Sequence, residues 1–162
     1  MTIRKLCMSD FVHVVNWSKD ATFCEANGWE HNRREEELYK WWFQCVNNDA
    51  ADFIRMAIDL GDRLVGYVDL ASIHNDSAEI GIAIGERTLW GQGIGGEAVR
   101  CLMKYASETL GITVFNAETN EENIRARNML QKLGFVEASR CGTEEYMGKD
   151  SQLIQYRYVH SF

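Results

Sequence analysis

Four glycines within six residues constrain the fold of this chain more than any other feature. They lie in residues 89–105, between an alternating apolar run and a strongly helical pattern. Glycine lets a chain turn tightly into a helix and brings bare backbone N–H groups close to a ligand. The first N–H groups of a helix lack internal partners and favour an anion. The stretch therefore predicts a strand, a turn and an anion-binding helix start, with the glycines at Gly91, Gly93, Gly95 and Gly96.

A dinucleotide is one of two classes of anionic ligand that such a turn can bind, and the second class is considered with the motifs below. The spacing Gly91-x-Gly93-x-x-Gly96 satisfies the dinucleotide-binding fingerprint, and Glu118 lies about where that fold needs an acidic residue. A doubly wound domain needs several further βα units after the fingerprint, whereas only one helical pattern follows Glu118. Strand patterns also precede the glycines, although the fingerprint usually forms the first turn of such a domain. The dinucleotide hypothesis is therefore the weaker of the two.

The composition fits a single globular domain over residues 1–162, because 46% of the residues are hydrophobic and 25% are charged. A chain of this length can bury a substantial core. It contains no run of eighteen apolar residues, so we expect no membrane span. The N-terminal residues lack the apolar core and cleavage site of an export signal, so we expect a cytoplasmic protein.

Charge and cysteine content narrow the function further. The net charge of −7 disfavours a nucleic-acid-binding surface and is compatible with a cationic acceptor such as an amine. The five cysteines are scattered without a Cys-x-x-Cys pair, which favours reduced thiols used for packing over a nucleophile. The four histidines show no metal-ligand spacing, so we expect no metal.

Hydrophobic periodicity predicts the element order βαα-βββ-α-β-α-ββ. Strands are predicted over residues 2–8, 53–60, 63–73, 78–85, 112–118, 136–146 and 152–159, and residues 20–33 are expected to form a loop. Helices are predicted over residues 11–19, 34–47 and 121–133, and from the glycines to a stop at Gly111. Thr119-Asn120 is expected to cap the last helix and Gly134 to end it. In strand 78–85, isoleucines occupy one face, and the other face carries Glu79, Gly81 and Ala83.

Two motifs resemble those of the GCN5-related N-acetyltransferase (GNAT) superfamily. Trp90-Gly91-Gln92-Gly93-Ile94-Gly95 is similar to its acetyl-CoA motif, Arg/Gln-x-x-Gly-x-Gly/Ala, with Trp90 in place of the usual Arg or Gln. This form resembles the branch of ribosomal-protein N-terminal acetyltransferases. Residues 123–135 are similar to the family pattern Asn-x-x-Ala-x-x-Leu-Tyr-x-Lys-x-Gly-Phe. Together with the element order, the resemblance covers essentially the whole chain. It implies a mixed, mostly antiparallel sheet of six to seven strands with about four helices.

The resemblance implies a site for acetyl-CoA as co-substrate. Backbone N–H groups of the glycine loop would hold the pyrophosphate, and strand 78–85 would splay from the next strand to pair with pantetheine. An N–H near Ala83 would polarise the thioester carbonyl, and Asn123 would hydrogen-bond the arm of the cofactor. The residues implied in cofactor binding are Ile82, Ala83, Ile84, Gly91, Gln92, Gly93, Ile94, Gly95, Gly96 and Asn123.

Deprotonation of the amine is assigned to Glu79, because Ala78-Glu79-Ile80 is similar to the segment that carries the general base in histone acetyltransferases. The alternatives are a solvated strand glutamate at this position, or Glu118 or Glu30 as the base. The family often places a tyrosine general acid where this chain has Leu130. Leucine cannot donate a proton, and the sequence does not choose among the substitutes Tyr146, Tyr156 and Tyr158.

By family analogy, residues 23–31 and 146–151 would form the acceptor site. The expected activity is direct transfer of acetyl to a primary amine in a ternary complex. The acceptor would be a small amine such as a polyamine or aminoglycoside, or a protein N-terminus, and a homodimer is possible by analogy. The alternative is a catalytically silent acyl-CoA-binding sensor, which Leu130 and Trp90 favour.

Overall fold

The computed structural model describes residues 1–160 and forms an eight-stranded sheet with five α-helices. The strands are β1 (Thr2–Arg4), β2 (Ile54–Asp59), β3 (Leu64–His74), β4 (Ser77–Ile84), β5 (Val114–Asn120), β6 (Val136–Ser139), β7 (Thr143–Tyr146) and β8 (Lys149–Val159). The helices are α1 (Phe11–Ser18), α2 (Ala21–Asn27), α3 (Glu35–Val46), α4 (Ile94–Leu110) and α5 (Ile124–Leu133). The strand order is β1-β2-β3-β4-β5-β8-β6, with β7 paired to β8, and β4 pairs with β5 in parallel. The predicted mixed, mostly antiparallel fold is confirmed.

The sheet separates two hydrophobic cores because side chains alternate along its strands. Ile80 and Val68 lie on one face and pack in the core that contains Leu102 of α4 and Leu130 of α5. Ala83 belongs to the other core, where α1, α2 and α3 contribute the buried side chains of Val14, Trp17, Phe23, Cys24, Leu38 and Trp42. The alternation predicted for β4 is therefore confirmed. Within residues 1–160, no helix has both the length and the apolar character that a membrane crossing requires.

Strands β4 and β5 pair over three residues and then separate. The pairs run from Ser77 with Val114 to Glu79 with Asn116. Beyond this point β4 continues along β3 as far as Ile84, and β5 continues along β8. The separation opens a gap in the middle of the sheet beside the C-terminal half of β4. This gap, with the glycine loop that follows β4, positions the candidate site.

Helix α2 corrects the prediction of a loop over residues 20–33. Asp20 caps this helix, because its Oδ1 accepts the N–H groups of Thr22 at 3.1 Å and Phe23 at 3.3 Å. Gly28 ends the helix in the left-handed conformation with φ +67°. Ala21–Asn27 is two turns long, which is too short for its buried positions to repeat along the sequence. The sequence features that indicate this helix are its capping residues, Asp20 and Gly28, and not a hydrophobic periodicity.

The C-terminal third corrects two further boundaries. Residues 136–146 form two short strands rather than one, and both pair with the long strand β8. The hairpin turns at Met147 and Gly148, which have φ values of +52° and +81°. These positive values at both turn positions are typical of a two-residue hairpin turn. Helix α5 begins later than predicted: its N-cap is Asn123 rather than Thr119-Asn120, which continue β5.

Candidate functional site

A cavity of about 460 Å3 lies beside the end of β4, past the point where β4 separates from β5. Its walls are the end of β4, the glycine loop, the first turns of α4 and one side of α5. Nine of the ten residues predicted to bind the cofactor line it: Ile82, Ala83, Ile84, Gly91, Gly93, Ile94, Gly95, Gly96 and Asn123. The structure thus brings two motifs together that are about thirty residues apart in the sequence.

Gly91 and Gly93 give the loop its shape. Both have left-handed backbone conformations, with φ +80° and +83°, and a Cβ at either position would contact no other atom. Their conformation, not crowding, therefore requires glycine. Gly93 is the N-cap of α4 and brings no side chain to cap the helix. The N–H groups at the start of α4 are consequently left for water or a ligand.

Gly95 and Gly96 have a different role from the first two glycines. A Cβ on Gly95 would approach the Cδ1 atom of Ile82 to 3.2 Å, and one on Gly96 would lie 3.6 Å from the Cγ atom of Met129. Gly95 therefore lets α4 pack closely against β4, whereas a Cβ at Gly96 would make an ordinary van der Waals contact with α5. Close packing places the N-terminus of α4 at the gap in the sheet.

The backbone of β4 presents polar groups to the gap at alternate residues. Gly85 donates its N–H to the carbonyl of Val65 at 2.8 Å, which marks a hydrogen-bonded pair of the β3–β4 ladder. Because such pairs alternate in an antiparallel ladder, Ala83 also directs its N–H toward β3. The N–H groups of Ile82 and Ile84 are the ones that face the gap. The N–H donor predicted near Ala83 is therefore that of Ile82 or Ile84, and not that of Ala83 itself.

Trp90 fills the motif position usually held by Arg or Gln. Its indole Nε1–H donates to the carbonyl of Ile84 at 2.8 Å, which ties the loop to the end of β4. The guanidinium carbon of Arg125 lies 3.8 Å from the centroid of the indole ring. Where the family motif has Arg or Gln, this chain therefore has an indole, and the indole contacts the charged side chain of Arg125 in α5.

Two predicted cofactor residues use their side chains for local structure. Asn123 caps α5, because its Oδ1 accepts the N–H of Ala126 at 3.2 Å, and its amide NH2 group is left for a ligand. Gln92 donates its Nε2 to the carbonyl of Thr88 at 2.8 Å and is exposed outside the cavity. Only the backbone of Gln92 is therefore placed to serve as predicted.

Sequence reasoning missed three cations that line the cavity: Arg100, Arg125 and Lys132. Arg125 and Lys132 lie seven residues apart on α5, which places them on one side of that helix. This seven-residue spacing was the feature of the sequence from which a basic side of α5 could have been predicted. Glu97 is the acidic residue that lines the same cavity. Eight further lining residues were not assigned to cofactor binding: Ala26, Asn27, Leu89, Trp90, Ala126, Asn128, Met129 and Leu133.

Glu79 lies in a second cavity of about 330 Å3, which it shares with Asn116, Glu118 and Gln155. Burial, and then the charge of Glu118, raise the pKa of Glu79 above its ordinary value. Glu118 itself accepts a hydrogen bond from Nε2 of Gln155 at 2.8 Å. Glu79 precedes Ala83 by four residues, about 13 Å along an extended strand. Glu79 is therefore separated from the backbone N–H groups of Ile82 and Ile84.

An ion pair lies on the Glu79 face of the sheet. Arg55 contacts Asp69 through two hydrogen bonds of 2.7 and 2.8 Å, and its guanidinium carbon lies 4.2 Å from the ring centroid of Tyr67. Burial opposes the charge of Arg55, yet the hydrogen bonds and charge of Asp69 raise its pKa above the ordinary value. The Asp69 side chain lies against Gly81: a Cβ added at Gly81 would be 3.3 Å from the Cβ of Asp69. On this face of the sheet, Arg55 therefore offsets the charge of Asp69.

The predicted acceptor segment, residues 23–31, packs its aromatic side chains against the core, whereas Glu25, Glu30 and His31 are exposed. Phe23 is fully buried, and Trp29 packs edge-to-face on it with a centroid distance of 5.0 Å. Trp29 also donates its indole N–H to the hydroxyl of Tyr67 at 3.3 Å. From residues 23–31, Ala26 and Asn27 are the ones that line the larger cavity. The tryptophans thus form a packed cluster rather than an open aromatic cage.

The tyrosines considered as a general acid have separate environments. Leu130 is buried in the core, as an apolar side chain at that position should be. The hydroxyl of Tyr156 accepts a hydrogen bond from Nε of Arg127 at 3.4 Å, and Tyr158 packs on Phe115 and Phe135. None of the three tyrosines lines the larger cavity. In residues 1–160, no cluster of three or more His, Cys, Asp and Glu side chains could hold a metal.

A model of the "Acetyltransferase (GNAT) domain" matches residues 1–136, which is more than half of the chain and includes the glycine loop and both motifs. The chain belongs to the GNAT acetyltransferase family. An uncharacterized protein of Methanocaldococcus jannaschii is 33% identical to this GNAT chain over 113 residues, which are 69% of the chain and 23% of that protein. Alpha/beta-tubulin-N-acetyltransferase 9 of Homo sapiens is 29% identical over 135 residues, 80% of the chain and 56% of that protein. The chain thus spans about a quarter of the first relative and just over half of the second.

Two solved GNAT structures cover almost the whole chain. The spermidine N-acetyltransferase of Vibrio cholerae, in complex with CoA and spermine, superposes with a TM-score of 0.81 at 21% identity, over 98% of this chain and 94% of that one. The ribosomal-protein alpha-N-acetyltransferase RimL, in complex with CoA, gives a TM-score of 0.83 at 18% identity, over 97% and 92%. At these identities the likeness establishes the fold alone.

Proposed function

We propose that this chain is an acetyl-CoA-dependent N-acetyltransferase that moves the acetyl group to a primary amine in a ternary complex. The observation that carries the proposal is that one cavity, the larger of the two described, is lined both by the N-terminus of α4 and by the edge of β4 that does not pair with β5. Family membership supports the reaction class. The CoA complexes of the two structural neighbours support the co-substrate.

The reaction follows from these groups. The N–H groups at the start of α4 bind pyrophosphate, and the N–H groups of Ile82 and Ile84 that face the gap bind pantetheine and the thioester oxygen. The amine nitrogen attacks the carbonyl carbon after losing a proton through water to Glu79, and the carbon–sulfur bond then breaks. One oriented donor to the oxyanion is worth about 3 kcal/mol of barrier. The thiolate leaves without an acid at Leu130, because a thiol pKa of about 8.5 makes it a fair leaving group.

The acceptor we propose is a cationic primary amine on a small molecule or a peptide. Glu79 and Glu118 place two carboxylates in the second cavity, and the net charge of −7 has the same sign. The two structural neighbours are a spermidine and a ribosomal-protein acetyltransferase, and one relative is named for tubulin. The structure of residues 23–31 does not separate these acceptor types. A single domain, a homodimer and a cytoplasmic location stay predictions.

A calorimetric titration with acetyl-CoA, with NAD as the comparison ligand, tests the cofactor. We expect saturable heat with acetyl-CoA and none with NAD. An amine panel follows, in which the product gains the mass of one acetyl group. Mass is the appropriate readout because the five cysteines would interfere with a free-thiol assay. Absence of acetyl-CoA binding would exclude both the enzyme and the sensor. Binding without any acetylated product would favour the sensor, for which the buried Leu130 is the supporting observation.

The pH dependence tests the pairing of Glu79 with Glu118. Only the deprotonated form of Glu79 accepts a proton, so kcat/KM should fall as the pH drops through its raised pKa. Substituting Glu118→Gln removes a neighbouring negative charge, which lowers the pKa of Glu79 and moves the acidic limb to lower pH. The control Glu108→Gln removes an exposed charge outside both cavities and should leave the limb in place. An unshifted limb in Glu118→Gln would contradict the pairing.

A further inference from the structure

We propose that Arg125, held by Trp90, binds the pyrophosphate of the cofactor and so replaces the charged residue that the glycine loop lacks. The inference rests on the proposed function, because it assigns one more contact to the same cavity. It concerns a pair that the sequence motifs do not connect, since Trp90 precedes the loop and Arg125 lies in α5.

The contacts around Trp90 fix where Arg125 can reach. The indole is anchored through its N–H to the carbonyl of Ile84 at 2.8 Å, so the ring face is held at the end of β4. Arg125 stacks on that face at 3.8 Å, and both side chains belong to residues that line the cavity. A guanidinium stacked on an aromatic ring keeps its N–H edge free, because stacking uses only its face. The stack therefore leaves the donors of Arg125 available to a ligand.

Arg125 has no carboxylate partner within hydrogen-bond or ion-pair distance among residues 1–160. Some other exposed arginines do have one, since Arg63 pairs with Glu86 and Arg140 with Glu137. Arg157, outside the cavity, and Arg100, which lines it, share with Arg125 the lack of a carboxylate partner among the described residues. In a chain of net charge −7, an unpaired guanidinium beside a free helix N-terminus is best explained by a ligand anion. Glu97 also lines the cavity, and its negative charge adds to the need for cations around a bound phosphate.

The pyrophosphate is the group we assign, rather than the 3′-phosphate of the ribose. Trp90 is bonded in sequence to Gly91, so Arg125 stacks directly beside the glycine loop that lines the cavity. Arginine presents paired donors that match phosphate oxygens. Arg100 and Lys132 line other parts of the same cavity and are free to bind the outer phosphate.

The test compares Arg125→Ala with wild type by calorimetry, using CoA and 3′-dephospho-CoA. We expect Kd to rise about ten-fold for both ligands, because both carry the pyrophosphate. Lys104→Ala is the matched control, since it removes one exposed positive charge on α4 outside the cavity and should leave Kd unchanged. A loss confined to CoA would overturn the assignment in favour of the 3′-phosphate. An unchanged Kd for both ligands would also overturn it.

A double-mutant cycle tests the positioning role of Trp90. If Trp90 acts through Arg125, Trp90→Phe should weaken CoA binding in the wild type but add little to Arg125→Ala. Arg125→Lys keeps the charge without the planar stack and should give an intermediate Kd. Equal effects of Trp90→Phe in both backgrounds would overturn the coupling. If wild type itself fails to bind acetyl-CoA, the proposed function fails first, which distinguishes the two failures.

Discussion

Substituting Arg55→Ala is expected to lower the free energy of unfolding by about 3–5 kcal/mol, the usual range for removing one partner of a buried ion pair. The side chains of Arg55 and Asp69 are only 14% and 13% exposed, and two hydrogen bonds join them. Alanine would leave the Asp69 carboxylate without its cation beside Gly81. It would also remove the guanidinium that packs on Tyr67 at 4.2 Å. Urea unfolding followed by circular dichroism measures the difference.

The chain offers a matched control for this prediction. Arg63 makes a similar two-point contact with Glu86, but the side chain of Arg63 is 50% exposed. Water screens exposed pairs, so Arg63→Ala should change stability far less than Arg55→Ala. If both substitutions cost the same, burial is not what makes the Arg55 pair important. The result also bears on the site, because Asp69 supports β4 at Gly81, two residues before Ala83.

The parts of the fold that could be predicted from the sequence are those fixed by local chemistry. Gly111 and Gly134 end α4 and α5 with φ values of +70° and +96°, as their positions after apolar stripes indicated. The alternation in β4 likewise placed Ile80 and Glu79 on opposite faces. Glycine conformations and side-chain periods depend on a few neighbouring residues, so a single sequence is enough to predict them.

The parts that could not be predicted depend on contacts between distant residues. Helix α2 has no periodic stripe, and its Asp20 cap is reinforced by Arg87, whose Nε lies 2.6 Å from Oδ2 of Asp20. The split of residues 136–146 into two strands depends on how far β8 extends beside them. No short-range pattern contains these partners. They become visible only when the sheet order is known.

The candidate site divides in the same way. The glycine loop and the edge of β4 were predicted as a backbone cradle, because motif spacing fixes backbone geometry. The stack of Arg125 on Trp90 joins residues 35 positions apart and was not predicted. Strand alternation gave the face of Glu79 but not the separate cavity that it shares with Glu118. The assignment of Glu79 as the base therefore depends on kinetics.

Substituting Glu79→Gln is expected to lower kcat about 100-fold, the lower end of the range for a general base, with acetyl-CoA affinity unchanged. The amine reaches the site mostly as ammonium, because an alkyl amine has a pKa near 10.4 and must lose its proton before attack. Glutamine keeps the size of the side chain and its ability to hydrogen-bond water, but it cannot accept the proton. Product mass measures turnover, and calorimetry measures acetyl-CoA binding.

Two further variants separate the role of Glu79 from its charge. Glu79→Asp keeps a carboxylate that can act through water and should retain more activity than Glu79→Gln. Glu108→Gln, at an exposed position of α4, removes the same charge and should leave kcat unchanged. Unchanged turnover in Glu79→Gln would remove this residue from the mechanism. Equal losses in the Gln and Asp variants would mean that Glu79 supports the sheet rather than accepting a proton.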